Sequence, residues 1–197
     1  THIAGLIANT AKDLDYCLII IKFYDPKKSK NTIKTTIKAF QYAIELGVDI
    51  INYSAGGKNY SDIEKLAILK ALNRGILVVA AAGNEKSDID KTPYYPASYD
   101  SRIISVENWE YVLDEPSKKL TLKIASLSNY STIGTTHGGE LGVEVKSLLP
   151  NNEYGSLTGT SQATAIRTGK VIKYIINVKK LNNNNMLERI KRMLNVA

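Results

Sequence analysis

Apolar and polar positions along this chain follow two rhythms, and the switches between them mark out the elements. From Thr32 to Leu46 the apolar residues Ile33, Ile37, Phe40, Ala43 and Ile44 recur at the spacing of one helix face, and Gly47 follows as a C-terminal stop. Residues 3–11 predict a further helix. Residues 61–73 predict another, opened by Ser61 with Glu64 three positions later, the pattern of a capping box. Between the helices lie short runs with β character: 17–23, rich in β-branched residues, then 50–53, 77–82 and 102–106. Cys17 opens the first of these and reads as a buried core thiol, with no second cysteine to pair with. Residues 109–126 form two strand-like runs around Asp114-Glu115-Pro116-Ser117, a hairpin pattern. A helix follows Ser161 to about residue 177. The run Asn182 to Asn185 reads as a linker into an amphipathic helix at 186–194.

Strands alternating with helices predict an α/β fold with a mainly parallel sheet, right-handed crossovers and helices on both faces. The length of 197 residues, with 44% hydrophobic and 23% charged, suits a single sizeable core over 1–181, with 182–197 packed on the same domain. The apolar runs are strand-length and broken by charges, so none predicts a membrane span. The formal charge of +7 comes from dispersed lysines such as Lys27, Lys28 and Lys30 and a basic tail. Without interleaved aromatics these read as solvated surface, with no nucleic-acid partner expected.

The chemistry concentrates at Gly159-Thr160-Ser161. A hydroxyl at a helix N-terminus lies beside unpaired backbone N–H groups and the positive end of the helix dipole, which favour developing negative charge. That suits a nucleophile whose attack creates an oxyanion; Gly-Thr-Ser is equally a common helix cap. A second segment, 76–85, is a buried strand ending in Ala80-Ala81-Ala82-Gly83 with Asn84 just beyond it, where open α/β sheets place their chemistry. A carboxamide there can donate to an oxyanion without titrating. A third, 49–57, is an apolar strand ending in the small residues Ser54-Ala55-Gly56-Gly57.

Taken with Thr1-His2-Ile3-Ala4-Gly5 and Tyr95-Pro96-Ala97, these segments resemble the subtilisin-like serine proteases, whose blocks read approximately HGTHVAG, INMSLGG, VVAAAGNE, YPA and GTSMA. The blocks occur in that order over nearly the whole chain. The resemblance implies a serine endopeptidase acting on extended peptides, with Ser161 as nucleophile and Asn84, with the Ser161 N–H, as oxyanion donors. It implies that Ser54, Ala55 and Gly56 pair with substrate backbone. It also makes Ala81, Ala82 and Gly83 one wall of the pocket for the side chain before the cut. Tyr94 stands at the usual floor of that pocket, where its ring either shortens the pocket or turns outward.

The resemblance also implies parts that these residues do not contain. The family's catalytic histidine lies two residues before the threonine of its first block, and its aspartate further upstream. His2 therefore matches a structural histidine, and His137, in a polar loop, reads as a surface residue. The expected partner is an N-terminal segment carrying the Asp and His. Departures from the pattern are Ala165-Ile166-Arg167-Thr168-Gly169 after the serine, where Arg167 either reaches the surface or pairs with a carboxylate, and Glu140-Leu141-Gly142 in place of Ala-Pro-Gly. Residues 9–14 are too short for the family's calcium loop, so neither metal nor cofactor is expected. The alternative to an enzyme is a pseudoprotease that binds or scaffolds peptides.

Overall fold

The computed structural model describes residues 1–24 and 32–180, with only the backbone at 178–180. In chain order these form α1 (His2–Thr10), α2 (Thr32–Leu46), β1 (Ile50–Tyr53), α3 (Asp62–Asn73), β2 (Leu77–Ala81), β3 (Ile104–Asp114), β4 (Lys119–Ile124), β5 (Gly139–Leu141), β6 (Val145–Leu148), β7 (Tyr154–Leu157) and α4 (Thr160–Lys180). The linker and helix expected at 182–194, and Lys27, Lys28 and Lys30, lie outside the described residues.

The most apolar strand takes the most enclosed place. β2 lies between β1 and β3, parallel to both, with Ile51 opposite Val78 and Ala80 opposite Ser105. Because side chains alternate across a strand, its two faces feed two layers. Val78 and Ala80 join Phe40 of α2 and Ile68, Ala71 and Leu72 of α3, while Leu77 and Val79 join Ala163, Val171 and Ile175 of α4. All five β2 residues are buried, each large apolar side chain contributing roughly 1.5–3 kcal/mol. The result is the mixed α/β fold expected, with a mainly parallel sheet and helices on both faces.

α1 packs on α4 through Leu6, Ile7, Ala11, Ala165 and Ile172. Their backbones come close enough at Gly169 that an added Cβ would sit 2.5 Å from Thr10 Cβ. The runs expected as separate strands at 102–106 and from 109 are one strand, β3. Its first half is parallel to β2, and its second half turns back antiparallel into β4 as the expected hairpin. β5 pairs parallel with β3, and β6 with β7 forms a separate hairpin leading into α4.

Ser61 caps α3, its hydroxyl accepting from the Glu64 N–H at 3.3 Å. The reciprocal half of the capping box is not made. Glu64 accepts instead from the Tyr53 and Tyr99 hydroxyls, and the Ser61 N–H donates to the Tyr99 oxygen. The larger correction concerns 17–23, which is not a strand in the described structure. Cys17 is exposed rather than buried in the core, and Ile20 is 70% exposed.

Candidate active site

α4 begins at Thr160, so Ser161 occupies its first turn, where backbone N–H groups have no acceptor within the helix. The N–H groups of Gln162 and Ala163 turn back to the Gly159 carbonyl at 3.1 and 3.2 Å. The Thr160 N–H leaves the helix altogether and donates to Asn84 Oδ1 at 2.9 Å, joined by the Thr160 hydroxyl at 3.1 Å. That hydroxyl also accepts from the Gly83 N–H at 3.3 Å. Thr160 thus ties the start of α4 to the end of β2, two segments 76 residues apart.

β2 ends in a turn that glycine makes possible. Gly83 has φ +105°, a region costly for residues with a Cβ. The turn brings Asn84 to the surface while Ala81, Ala82 and Gly83 stay buried behind it. One residue holds its shape. Buried Asn129 donates to the Ala82 carbonyl and Glu85 Oε2, and accepts from the N–H groups of Glu85 and Ser87.

The third side is the segment after β1. Ser161 Oγ donates to the Ser54 carbonyl at 2.9 Å, and Ser54 Oγ donates to the Ser161 carbonyl at 3.0 Å. Asn52 Nδ2 donates to Ser54 Oγ, and Thr168 Oγ1 of α4 donates to Asn52 Oδ1. Ser54, Ala55 and Gly56 lie outside the sheet ladder, with Gly56 exposed. Gly57 then exchanges two 2.8 Å backbone bonds with Tyr95. Tyr94 is turned inward and buried, not outward. Burial and the nearby Glu85 carboxylate push its phenol pKa up, so its hydroxyl stays neutral.

Both histidines are engaged elsewhere. His2 is buried, its Nε2 lying 3.2 Å from the Gly155 carbonyl, so it ties α1 to the β6–β7 hairpin. His137 is half-buried rather than a free surface residue. Its Nδ1 accepts from the Ser105 N–H at 3.2 Å, and its own N–H donates to the Ser105 carbonyl. Arg167 follows the second of its two expected courses. It is buried and pairs with Glu140 through Nε–Oε1 at 2.9 Å, while Lys170 takes the other carboxylate oxygen at 2.7 Å. A second Arg167 nitrogen donates to the Gly139 carbonyl at 2.9 Å. Burial pulls the Arg167 pKa down and the Glu140 carboxylate opposes this. Among the described residues no group of three or more His, Cys, Asp or Glu could hold a metal ion, and no helix is long and apolar enough to cross a membrane.

The sequence model of the Subtilase family matches residues 1–194. The chain belongs to the subtilase family. It is 34% identical to the Major intracellular serine protease of Bacillus subtilis (strain 168) over 175 residues, which is 83% of this chain and 50% of that protein. It is 36% identical to Subtilisin DY of Bacillus licheniformis over 177 residues, 83% of this chain and 58% of that protein. The chain therefore spans about half the length of these subtilase relatives. Among solved structures, a cold adapted subtilisin-like serine proteinase superposes with TM-score 0.78 at 22% identity, covering 99% of this chain and 66% of that one. The self-cleaved protease domain of PatA gives 0.74 at 19% identity, covering 96% and 71%. These two likenesses establish the subtilase fold.

Four residues of this subtilase site escaped the reading by pattern: Thr160, Asn129, Asn52 and Thr168. Apart from the Asn52 bond to Ser54, each is a short polar residue bonded to a partner far away in sequence, between 42 and 116 positions in the bonds above. Periodicity carries no trace of such a bond. Only the helix-capping habit of threonine hinted at Thr160.

Proposed function

We propose that this chain is the nucleophile-bearing part of a subtilisin-like serine endopeptidase whose catalytic histidine and aspartate are carried by an upstream segment. The observation that carries the reading is the meeting of Ser161, Asn84 and Ser54 across three distant segments, through Thr160. Asn84 Oδ1 is held by Thr160, which orients the carboxamide and leaves Nδ2 as the end that can donate to a substrate. In the reaction Ser161 Oγ attacks the scissile carbonyl while its proton passes to the upstream histidine. The oxyanion takes hydrogen bonds from Asn84 Nδ2 and the Ser161 N–H. The C–N bond then breaks, the proton passes to the departing amine, and water hydrolyses the acyl-serine. Ser54, Ala55 and Gly56 would pair with the extended substrate.

A groove of about 860 Å³ supports the upstream partner. It runs between residues 15–23 and the free edge of β1, with Phe40, Ala43 and Ile172 among its lining. An apolar extended segment entering it would lie along β1, which pairs with β2 alone among the described strands.

The test is reaction with a fluorophosphonate probe on the longer protein that includes the upstream segment. Labelling at Ser161 is expected, with loss in Ser161→Ala and a drop of about a hundredfold or more in Asn84→Ala, the scale of removing one oxyanion donor. One observation favours the pseudoprotease alternative: the helix that carries Ser161 holds a buried Arg167, paired with Glu140, where the family pattern is apolar. A longer protein that binds peptides yet never labels would establish that alternative.

A further inference from the structure

Between the segment after β1 and the turn after β2, where the proposed reading would put the side chain before the cut, stands a tyrosine ring. The two edges of the Tyr94 ring face two different glycines. A Cβ built on Gly56 would lie 2.5 Å from Tyr94 Cε1, and one built on Gly83 would lie 2.8 Å from Tyr94 Cε2. The ring thus spans the gap from one glycine backbone to the other, and only 9% of the residue is exposed.

The backbone under the ring is fixed. The Tyr94 N–H donates to Ser98 Oγ at 3.1 Å, its carbonyl accepts from the Ser98 N–H at 2.8 Å, and the adjoining Tyr95 is joined to Gly57 by two backbone hydrogen bonds. On the Gly83 side, Glu85 Oε2 and Asn129 Nδ2 crowd the same space, 2.6 and 2.3 Å from the built Cβ. Glu85 is held there by Asn129 at 2.7 Å. The gap is therefore closed by an aromatic floor and edged by a carboxylate.

Resting on the proposed reading of Ser161 as nucleophile, we infer that Tyr94 restricts this protein to peptides with a small uncharged residue, Gly, Ala or Ser, immediately before the cut. When substrate backbone lies along Ser54, Ala55 and Gly56 with its carbonyl between Ser161 and Asn84, the side chain of that residue points at the ring. Alanine fits above it. Leucine or phenylalanine would have to displace a ring packed on both edges, and an acidic residue would meet Glu85. Excluding even one methylene from such a pocket discriminates by about tenfold to two-hundredfold.

The test uses the longer protein that includes the upstream segment, with two peptide p-nitroanilide series that differ only in alanine or phenylalanine before the cut. The wild type is expected to favour alanine at least tenfold in kcat/KM. Tyr94→Gly is expected to invert the preference by raising the phenylalanine value. Tyr94→Ser serves as a second opening variant, and circular dichroism checks the folding of both. A wild type that prefers phenylalanine, or folded variants with an unchanged ratio, would overturn the inference. If Ser161 never labels, the nucleophile reading fails by itself. The pocket is then read by calorimetry on peptide acids ending in alanine or phenylalanine, where the same order and the same inversion are expected and equal binding overturns the inference.

Discussion

β1 has two unequal sides. On one lies β2, hydrogen-bonded along its length and wholly buried; on the other lies the groove, with residues 17–23 across it. The two flanking segments are similar in character, Leu77-Val78-Val79-Ala80 against Leu18-Ile19-Ile20-Ile21. The second is tethered at its ends, by Tyr16 against the α1–α4 cluster and by the Phe23 ring 5.8 Å from Tyr53. Between these anchors it has no ladder partner among the described residues. A strand needs both apolar character and a neighbour for its N–H and C=O groups, and only the closed side supplies both. Ser161 and Asn84 meet at the end of the closed side, while Ser54 and Ala55 stand where that side borders the groove.

Placing a charge on each side gives the largest expected contrast. Val79→Asp puts a carboxylate where the side chain is fully buried, at a cost above about 4 kcal/mol, enough to unfold most domains. Ile20→Asp in this chain should cost less than about 0.5 kcal/mol, since Ile20 is largely exposed. Urea denaturation measures both. If the proposed upstream segment covers the groove, the Ile20→Asp cost in the longer protein should rise several-fold. Equal costs in this chain would break the comparison.

A smaller effect tests whether the closed side depends on the buried ion pair of Arg167 and Glu140. Glu140→Ala strands the buried guanidinium of Arg167 and should cost about 3 kcal/mol. Glu140→Leu with Arg167→Leu should return to within about 1 kcal/mol of wild type, because apolar replacement of such a pair is often neutral. A double variant as unstable as Glu140→Ala would show that the Arg167 bond to the Gly139 carbonyl matters more than the pairing.

The same contrast explains how much was legible beforehand. Helices α1 to α4, β1 and β2 follow from periodicity, and the β3–β4 hairpin from the turn signal at 114–117, although its apolar residues Leu113, Leu120 and Leu122 stay exposed. The placement of Ser161 in the first turn of α4 and of Asn84 just past β2 was legible because their segments carry family blocks. Residues 17–23 were misread because periodicity reports that a segment can be a strand, not whether a partner stands beside it. Arg167 was ambiguous for a related reason. Its fate depends on Glu140, 27 residues earlier, on a short strand β5 with no apolar rhythm of its own. Tyr94 pointed either way until the gap between Gly56 and Gly83 was seen.

Acid should loosen the closed side from its rim by a smaller amount. The Asp90 carboxylate accepts from Ser131 Oγ at 3.0 Å and from the N–H groups of Thr132 and Ile133 at 2.7 and 3.1 Å, joining two loops beside the site. Partial burial works to raise its pKa, but the hydrogen bonds from Thr135, Ile133, Ser131 and Thr132 outweigh this and hold it well below the usual range. A folded pKa below the unfolded value gives stability that is present above about pH 4 and lost progressively as pH falls below it. Thermal melts of wild type and Asp90→Asn should therefore differ at pH 7 and converge towards pH 2. A constant difference across that range would remove Asp90 from the linkage.

The smallest expected effect is a rate rather than a stability, and it reads the open side directly. Cys17 lines the groove and is exposed, and it is the chain's single cysteine. In this chain a disulfide reagent such as Ellman's should reach it about as fast as it reaches a small thiol, since access rather than unfolding limits the reaction. If an upstream segment pairs along β1, it must lie between β1 and residues 17–23 and cover the thiol. The reaction in the longer protein should then slow at least tenfold, through the requirement that the segment first open locally. Adding urea below the unfolding transition should restore the rate, which separates burial by a docked segment from a change in the thiol itself. Identical rates in the two proteins would mean that the groove stays open and that the upstream residues assemble elsewhere.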